Sequence, residues 1–530
     1  MSDNRKYIFE RVYVETPVDT DKDGKYDLIA VYIKRPLKTA ENLKVPCLYV
    51  ANPYMMTCNE DWYKVHTVDK EVAVYPQQNI TEEEISYDFD KKLTCNIKEE
   101  RITSGYAESA EIEEDFKFEA ISELYDYFLE RDYGAVFSAG LGTLGSEGIT
   151  KTGSREETEA FKSVIDWLNG RARAFTDKEN NIEIKAWWST GKVAMSAKSY
   201  LGTMCIGVAA TGVEGLETVI PEAAISNWYN YYRYNGLNLP AFEWQGDDLD
   251  ILSKYCFSRA KDPEDFRRVK DVFEASQEEL LKGEDRESGN YNLFWDERNY
   301  LNQIDKIKAS VLIIHGLNDW NVKTNQCCPF FREIEKRDIP RKIILHQGRQ
   351  IYIYKLKDAN ILSILERWLD HYLKGIDTGI EKEPKVLVQN NLDQGQWMES
   401  ESWPPEENCH VFEVGDKGTV LIKDDLNATV YDRRKDNLYE WLRELVLSDD
   451  VNYENRAKYI WDLSELKNKK SEDIRFSGEA SISFEAAVDK PTAILSAMIV
   501  DLGEDHRITP EITEDERGEF SFKLEKTPSP

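Results

Sequence analysis

Apolar and polar positions change rhythm repeatedly along the chain, and each change marks an element. Near the start, RVYVETPV and YDLIAVYIKRP flank a polar turn, which predicts a β-hairpin. The apolar run VPCLYVANPY predicts a buried strand ending in a loop at Asn52-Pro53-Tyr54. Residues 60–110 are polar and poorly periodic, as in a long decorated loop. Phe116, Ile121, Leu124 and Phe128 recur at helical spacing, as do Phe161, Val164, Ile165 and Leu168, which end at Asn169-Gly170. AVFSAGLG, KVAM, TVIPEAAI, ASVLIIHG and RKIILHQG read as buried strands, and LGTMCIGVAA and ILSILERWLDHYLKG as helices.

Strands alternating with helices up to about residue 375 predict an α/β fold with a mostly parallel sheet. Residues 228–303 interrupt that rhythm with the charged helical stretch DPEDFRRVKDVFEASQEELLKG, as an inserted cap would. After Gly375 short stretches such as KVLVQ, HVFEV, ASISFEA and AILSAMIV predict an all-β sandwich, with a boundary between 376 and 384. The expected division is 1–227 and 304–378 for the α/β domain, 228–303 for the cap and 379–530 for the β domain.

Composition narrows the function classes. With 68 Lys+Arg against 99 Asp+Glu the formal charge is −31, which argues against nucleic acid as a partner. No run approaches the roughly 18 apolar residues of a membrane span, and the start MSDNRKYIFERVYVE has no apolar signal core, so a cytoplasmic protein is expected. The eight cysteines, at 47, 58, 95, 205, 256, 327, 328 and 409, show no framework spacing and read as reduced thiols. Oligomeric state stays open, a homo-oligomer included.

Three segments carry chemistry. The turn Asp19-x-Asp21-x-Asp23-Gly24-x-x-Asp27 matches the first half of a calcium loop, yet Ala30 stands where an EF-hand has its bidentate Glu. A solvated hairpin turn and a bound cation are both compatible with it. In Lys192-Val-Ala-Met-Ser-Ala-Lys-Ser199-Tyr200-Leu201-Gly202 a strand runs into a turn whose serine has small neighbours, and a small-residue helix follows. That is the layout of a nucleophile elbow, here written A-x-S-x-x-G, although an ordinary strand–helix turn fits too. Asp319, 319 − 199 = 120 residues later at the end of VLIIHGLND, follows in the order Ser…Asp of α/β-hydrolases; a turn-capping Asp would look the same.

Together these segments resemble the X-prolyl dipeptidyl aminopeptidases, within the cocaine-esterase-like serine hydrolases. The resemblance rests on NPY (52–54), VIDWLNGRARAFTD (164–177), GKVAMSAKSYLGT (191–203), GVEGLETVIPEAAISNWYNYYR (212–233), FWDERNY (294–300) and HGLNDWNVK (315–323), and it covers about residues 1–525. It implies an α/β-hydrolase fold with an inserted cap and a C-terminal β jelly-roll. In the family the jelly-roll continues past a segment like FKLEKTPSP, so here it is expected to be incomplete. It implies an enzyme that removes Xaa-Pro dipeptides from proline-containing peptides through a serine acyl-enzyme, with no metal or organic cofactor. Ser199 is then the nucleophile and Asp319 the triad acid. Tyr54 and the backbone N–H of Tyr200 form the oxyanion hole. Trp228, Tyr231, Trp244, Val322 and Tyr352 contribute to the substrate pocket. Asp247 stands where such enzymes carry an acid, usually the longer Glu, for the substrate's α-amine.

Two departures qualify that expectation. The family's base histidine lies in a motif HQGxHxY, whereas this chain reads His346-Gln347-Gly348-Arg349-Gln350-Ile351-Tyr352. Gln350, 350 − 319 = 31 residues beyond the acid, cannot accept a proton near neutral pH, so strongly reduced hydrolysis is expected. Of the six histidines, 66, 315, 346, 371, 410 and 506, none is expected to replace it, and His315 reads as structural. Ala197 stands where the family has glycine, which is tolerable if its backbone is not at positive φ. Three readings remain: a weakened dipeptidyl-peptidase, a peptide-binding pseudoenzyme and an esterase of the same fold.

Overall fold

The alternation in the first 40 residues does produce a hairpin, and a wide sheet grows from it. The structure is a computed structural model that describes residues 6–54, 58–68, 80–113, 122–143, 145–239, 245–352, 359–391, 393, 395–405, 411–412, 419–423, 456–462, 476–491, 493–499, 505–514 and 520–527. Strands β1 (Tyr7–Glu15) and β2 (Leu28–Pro36) pair antiparallel, Tyr7 opposite Pro36 and Glu15 opposite Leu28. The further strands are β3 (Val45–Asn52), β4 (Gly105–Ala107), β5 (Gly134–Ala139), β6 (Ala174–Phe175), β7 (Ile182–Ile184) and β8 (Ser189–Lys198). They continue with β9 (Leu216–Glu222), β10 (Ser310–Gly316), β11 (Arg341–His346), β12 (Val386–Gln389) and β13 (Trp397–Ser400). Among the described residues these form one sheet in the order β13-β12-β11-β10-β9-β8-β3-β5-β2-β1-β6-β7-β4.

From β12 to β5 every neighbouring pair is parallel. Such a core requires apolar strands buried on both faces, and β3, β5 and β10 are buried at every position. The helices that matter are α1 (Ser122–Leu129), α2 (Arg155–Leu168), α3 (Tyr200–Ala209), α4 (Trp228–Tyr232), α5 (Leu249–Cys256), α6 (Pro263–Glu284), α7 (Cys327–Glu335) and α8 (Ala359–Lys374). Ser154 starts α2 by accepting the Glu157 N–H, and Asp262 followed by Pro263 starts α6 in the same way. The charged stretch expected to be helical is α6, and it lies with α4 and α5 between β9 and β10. Phe116 and Ile121 of the first expected helix lie outside the described residues or side chains. No helix among the described residues is long and apolar enough to cross a membrane.

One strand of the C-terminal third pairs differently from the expectation. KVLVQ was expected in the sandwich, but β12 is the next parallel strand of the α/β sheet, Ile343 opposite Val386, and β13 closes that edge. Four apolar residues in a row read alike in either setting, which is why pattern alone misplaces them. The chain divides into a unit of residues 1–401 with 510–523 and a unit of 402–509 with 524–530. ASISFEA and the described part of AILSAMIV carry no strand ladder, and most of HVFEV lies outside the described residues. Among the described residues the strands in this region are Asp505–Glu514 and Phe520–Thr527, which pair with each other.

The seven cysteines among the described residues form no disulfide and five of them are buried; Cys409 lies outside. The tightest packing constraint falls at the start of α3. A Cβ on Gly202 would lie 2.5 Å from the Ala197 carbonyl oxygen and 2.9 Å from that of Glu222, both backbone atoms that cannot swing away. Gly202→Ala is therefore expected to cost about 1–3 kcal/mol despite alanine's better helix propensity. Urea denaturation beside Gly105→Ala, a position with nothing within 4 Å, measures the difference.

Candidate functional site

Strand β8 delivers Ser199 and α3 leaves from it, so the serine is the turn. Its backbone sits at φ 62°, ψ −133°, a region L-residues rarely adopt. The turn is fixed on both sides: Ser199 N–H donates to the Glu222 carbonyl at 2.9 Å, and Thr203 N–H donates to the Ser199 carbonyl at 2.8 Å. This strained strand–turn–helix is the geometry that the A-x-S-x-x-G pattern left open. Ala197 lies within β8 and is absent from the positive-φ residues, so its methyl group fits. Tyr200 is the first residue of α3, whose opening N–H groups have no intrahelical acceptor.

The Tyr200 ring is anchored away from that N–H. Its hydroxyl donates to both oxygens of fully buried Glu157, at 2.7 and 2.9 Å, and burial pushes that carboxyl up to about 7. Tyr54, after β3, packs edge-on against Tyr200 at 5.5 Å between ring centres. Burial holds its phenol well above the usual range, so it remains a donor. Trp228 is completely buried and backs this cluster edge-on, 5.1 Å from Tyr200 and 6.0 Å from Tyr231.

Asp319 follows β10 and is 6% exposed. Its Oδ1 accepts the N–H groups of Asn321 (3.0 Å) and Val322 (2.9 Å), while Oδ2 is buried with no hydrogen-bond partner. Burial raises the carboxyl to about 7, against those two N–H groups and the charges of Lys198 and Lys323. Gln350 reaches the serine from the loop after β11. Its Nε2 donates to Ser199 Oγ at 2.9 Å and its Oε1 accepts from Asn321 Nδ2 at 3.1 Å. Asn321 Oδ1 in turn accepts from the Tyr231 hydroxyl at 2.7 Å. Gln350 thus meets the serine oxygen as a donor.

The histidines near the site are committed elsewhere. His315 is fully buried, bonded through Nε2 to the Val322 carbonyl and lowered by burial to about 4. Its 3.8 Å approach to Asp319 is too long for a hydrogen bond. His346 accepts the Gly348 N–H on Nδ1 and is lowered by burial to about 3. Both are neutral structural groups at pH 7.

The remaining predicted residues are placed as follows. Val322 is buried, and Tyr352, 6% exposed, lies under the Lys198 ammonium at 4.8 Å. Trp244 lies outside the described residues. Asp247 is raised to about 7 by burial and by the charge of Asp248, against a hydrogen bond from Tyr63; its Oδ1 is buried without a partner. Burial and the charges of both Asp247 and Asp319 raise the Tyr231 phenol, which places it near both acids. Of the turn residues, Asp19, Asp21 and Asp27 come together and Asp23 does not. Sequence reasoning missed Asn321, Tyr63 and Glu157. Asn321 sits inside HGLNDWNVK, two residues past the acid, where only the folded loop reveals its contact with residue 350.

Comparisons with known proteins identify the family. Residues 23–352 match the family described as X-Pro dipeptidyl-peptidase (S15 family), and residues 378–519 match the X-Pro dipeptidyl-peptidase C-terminal non-catalytic domain. The Xaa-Pro dipeptidyl-peptidase of Lactiplantibacillus plantarum is 37% identical over 525 residues, covering 96% of this chain and 63% of that protein. Those of Pediococcus pentosaceus and Ligilactobacillus salivarius are each 36% identical, covering 96% and 97% of this chain and 64% of their own lengths. The chain thus spans a little under two thirds of these curated relatives. Among solved structures, a CocE/NonD family hydrolase from Staphylococcus aureus superposes with a TM-score of 0.44 at 16% identity, covering 76% of this chain and 61% of that one. With its strained serine turn, its following acid and matches of this extent, the chain belongs to the X-Pro dipeptidyl-peptidase (S15) family.

Proposed function

We propose that the chain binds peptides with a free N-terminus and proline second, and hydrolyses them as a serine dipeptidyl-peptidase whose turnover is depressed by Gln350. One observation carries this reading: Gln350 Nε2 donates to Ser199 Oγ while the buried Asp319 Oδ2 has no partner. An imidazole at position 350 would supply both the N–H that Asp319 lacks and the lone pair that the serine proton needs. The remaining roles fall to the residues that the family resemblance names. Ser199 attacks the carbonyl, and the Tyr54 hydroxyl and Tyr200 N–H stabilise the oxyanion, each donor contributing about 3–4 kcal/mol. Trp228 and Tyr231 line the proline pocket in this reading, and Val322 and Tyr352 are further substrate contacts.

Asp247 with Tyr63 holds the substrate ammonium, whose charge fits the partnerless Oδ1. An ester without an amine would leave that acid unused, which favours the peptidase over the esterase. The donor polarity of Gln350 supports a second reading, a peptide-binding protein without turnover. A cytoplasmic location goes with either, as does an inserted cap at 228–303.

Chromophore release from Gly-Pro anilide separates these readings. The chain as it stands is expected near background, and Gln350→His is expected to gain about 10²–10⁴-fold. Equal turnover by both proteins would place the base elsewhere. Silence in both would remove the intact-pocket reading.

The Asp247 carboxyl sets a pH dependence for capture. Its free pKa of about 7 lies above the usual carboxylate value, so the ionised form that binds an ammonium is lost as pH falls through 7. Affinity for Gly-Pro should therefore fall about tenfold per pH unit below that point, and fall again above about pH 8 as the peptide's α-amine loses its proton. Calorimetric titration across pH 5–8 measures it, and Asp247→Asn should bind weakly at every pH.

A further inference from the structure

The hairpin turn between β1 and β2 is not the solvated loop its polar sequence suggests. Asp27 is 1% exposed and Asp21 is 8% exposed, and one carboxylate oxygen from each of Asp19, Asp21 and Asp27 lies within 4.8 Å of the others. Two oxygens bound to one calcium ion are at most about 5 Å apart, so the spacing suits a single ion. Asp23 is exposed and caps Lys25 N–H instead.

The protein's own donors satisfy only part of this cluster. Asp27 Oδ2 accepts from Thr20 N–H (2.8 Å) and Thr20 hydroxyl (2.6 Å), and Asp19 Oδ2 accepts from Gly24 N–H (3.1 Å). Asp21 Oδ2 accepts from Gly148 N–H (3.2 Å) and Arg259 Nη1 (2.8 Å). Asp19 Oδ1 and Asp21 Oδ1 are buried and have no hydrogen-bond partner. Arg259 is the cation that faces the cluster in these contacts, and its guanidinium also makes two hydrogen bonds to Asp265. Three carboxylates therefore share part of one positive charge. Unpaired buried anionic oxygens are costly, and a divalent ion is the group that would satisfy several at once.

We propose that Asp19, Asp21 and Asp27 bind one calcium-class cation that pins the β1–β2 turn beneath the Gly148 loop. All donors are hard oxygens, which suits calcium over a transition metal. The fit at Gly148 is close: a Cβ there would lie 2.5 Å from Thr20 Oγ1 and 2.6 Å from Asp27 Oδ2. The set uses the first, third and ninth positions of the loop, so it is not an EF-hand, consistent with Ala30 at the twelfth. The site is remote in sequence from Ser199 and independent of the peptidase reading.

Equilibrium dialysis of the full chain, stripped with chelator and titrated with radioactive calcium, tests this. One equivalent is expected to bind with a dissociation constant of about 10⁻⁴–10⁻³ M or tighter, raising Tm by a few degrees. Asp19→Asn, which removes no partner of Arg259, should weaken binding at least tenfold with unchanged near-UV circular dichroism. Asp23→Asn should bind as the parent does. No bound calcium at about 5 mM, above the weak end of that range, overturns the proposal. So does binding that Asp19→Asn and Asp27→Asn leave intact, or magnesium binding of equal strength.

Discussion

How closely α3 approaches the ends of β8 and β9 governs the candidate centre. Only a residue without a side chain fits at Gly202 against two backbone carbonyls, and that contact lets the chain reverse sharply enough to hold Ser199 in its strained conformation. Such a conformation costs on the order of 1–3 kcal/mol and persists only where its surroundings over-determine it. Here they do. All ten residues of α3 are buried, its partners are parallel strands in the middle of the sheet, and backbone hydrogen bonds clamp the serine from both sides. The Ser199 oxygen is thus held by rigid elements, while Asn321 and Gln350 arrive from the loops after β10 and β11.

Those loops meet in a short polar chain from Ser199 through Gln350 and Asn321 to Tyr231. Each bond has ordinary length, and the chain fixes the direction from which the serine oxygen is approached. Order and activation are different properties, however. A hydroxyl that receives a hydrogen bond from an amide is positioned, but its own proton has no acceptor in that amide. The acid that would support an acceptor is present and buried, with one oxygen unmatched.

Much of the α/β portion was legible because period-two and period-3.6 patterns report burial directly. The strands β3, β5, β8, β9, β10 and β11 and the helix α6 lie where the pattern placed them. Ser199 and Asp319 were legible because small residues around a serine and an acid at a strand end are local signals. The rest depends on long-range contacts that leave no local mark. Tyr63 comes to Asp247 from a polar stretch that looked featureless, and Glu157 reaches Tyr200 from another helix. VLVQ joined the α/β sheet because hydrogen bonding to β11, not composition, decides which sheet a short apolar strand enters. The Asp-rich turn looked solvated because charge suggests exposure, yet the Gly148 loop and Arg259 cover it.

The placement of Gln350 also bears on genetic distance. Glutamine and histidine codons differ only in the third base, so a single nucleotide change would exchange an amide that donates to Ser199 for an imidazole able to accept from it. The surrounding strain, the buried acid and the anchored tyrosine would need no rebuilding, because none of them is held by the residue 350 side chain. In codon terms, the amide form and the imidazole form of this scaffold are immediate neighbours.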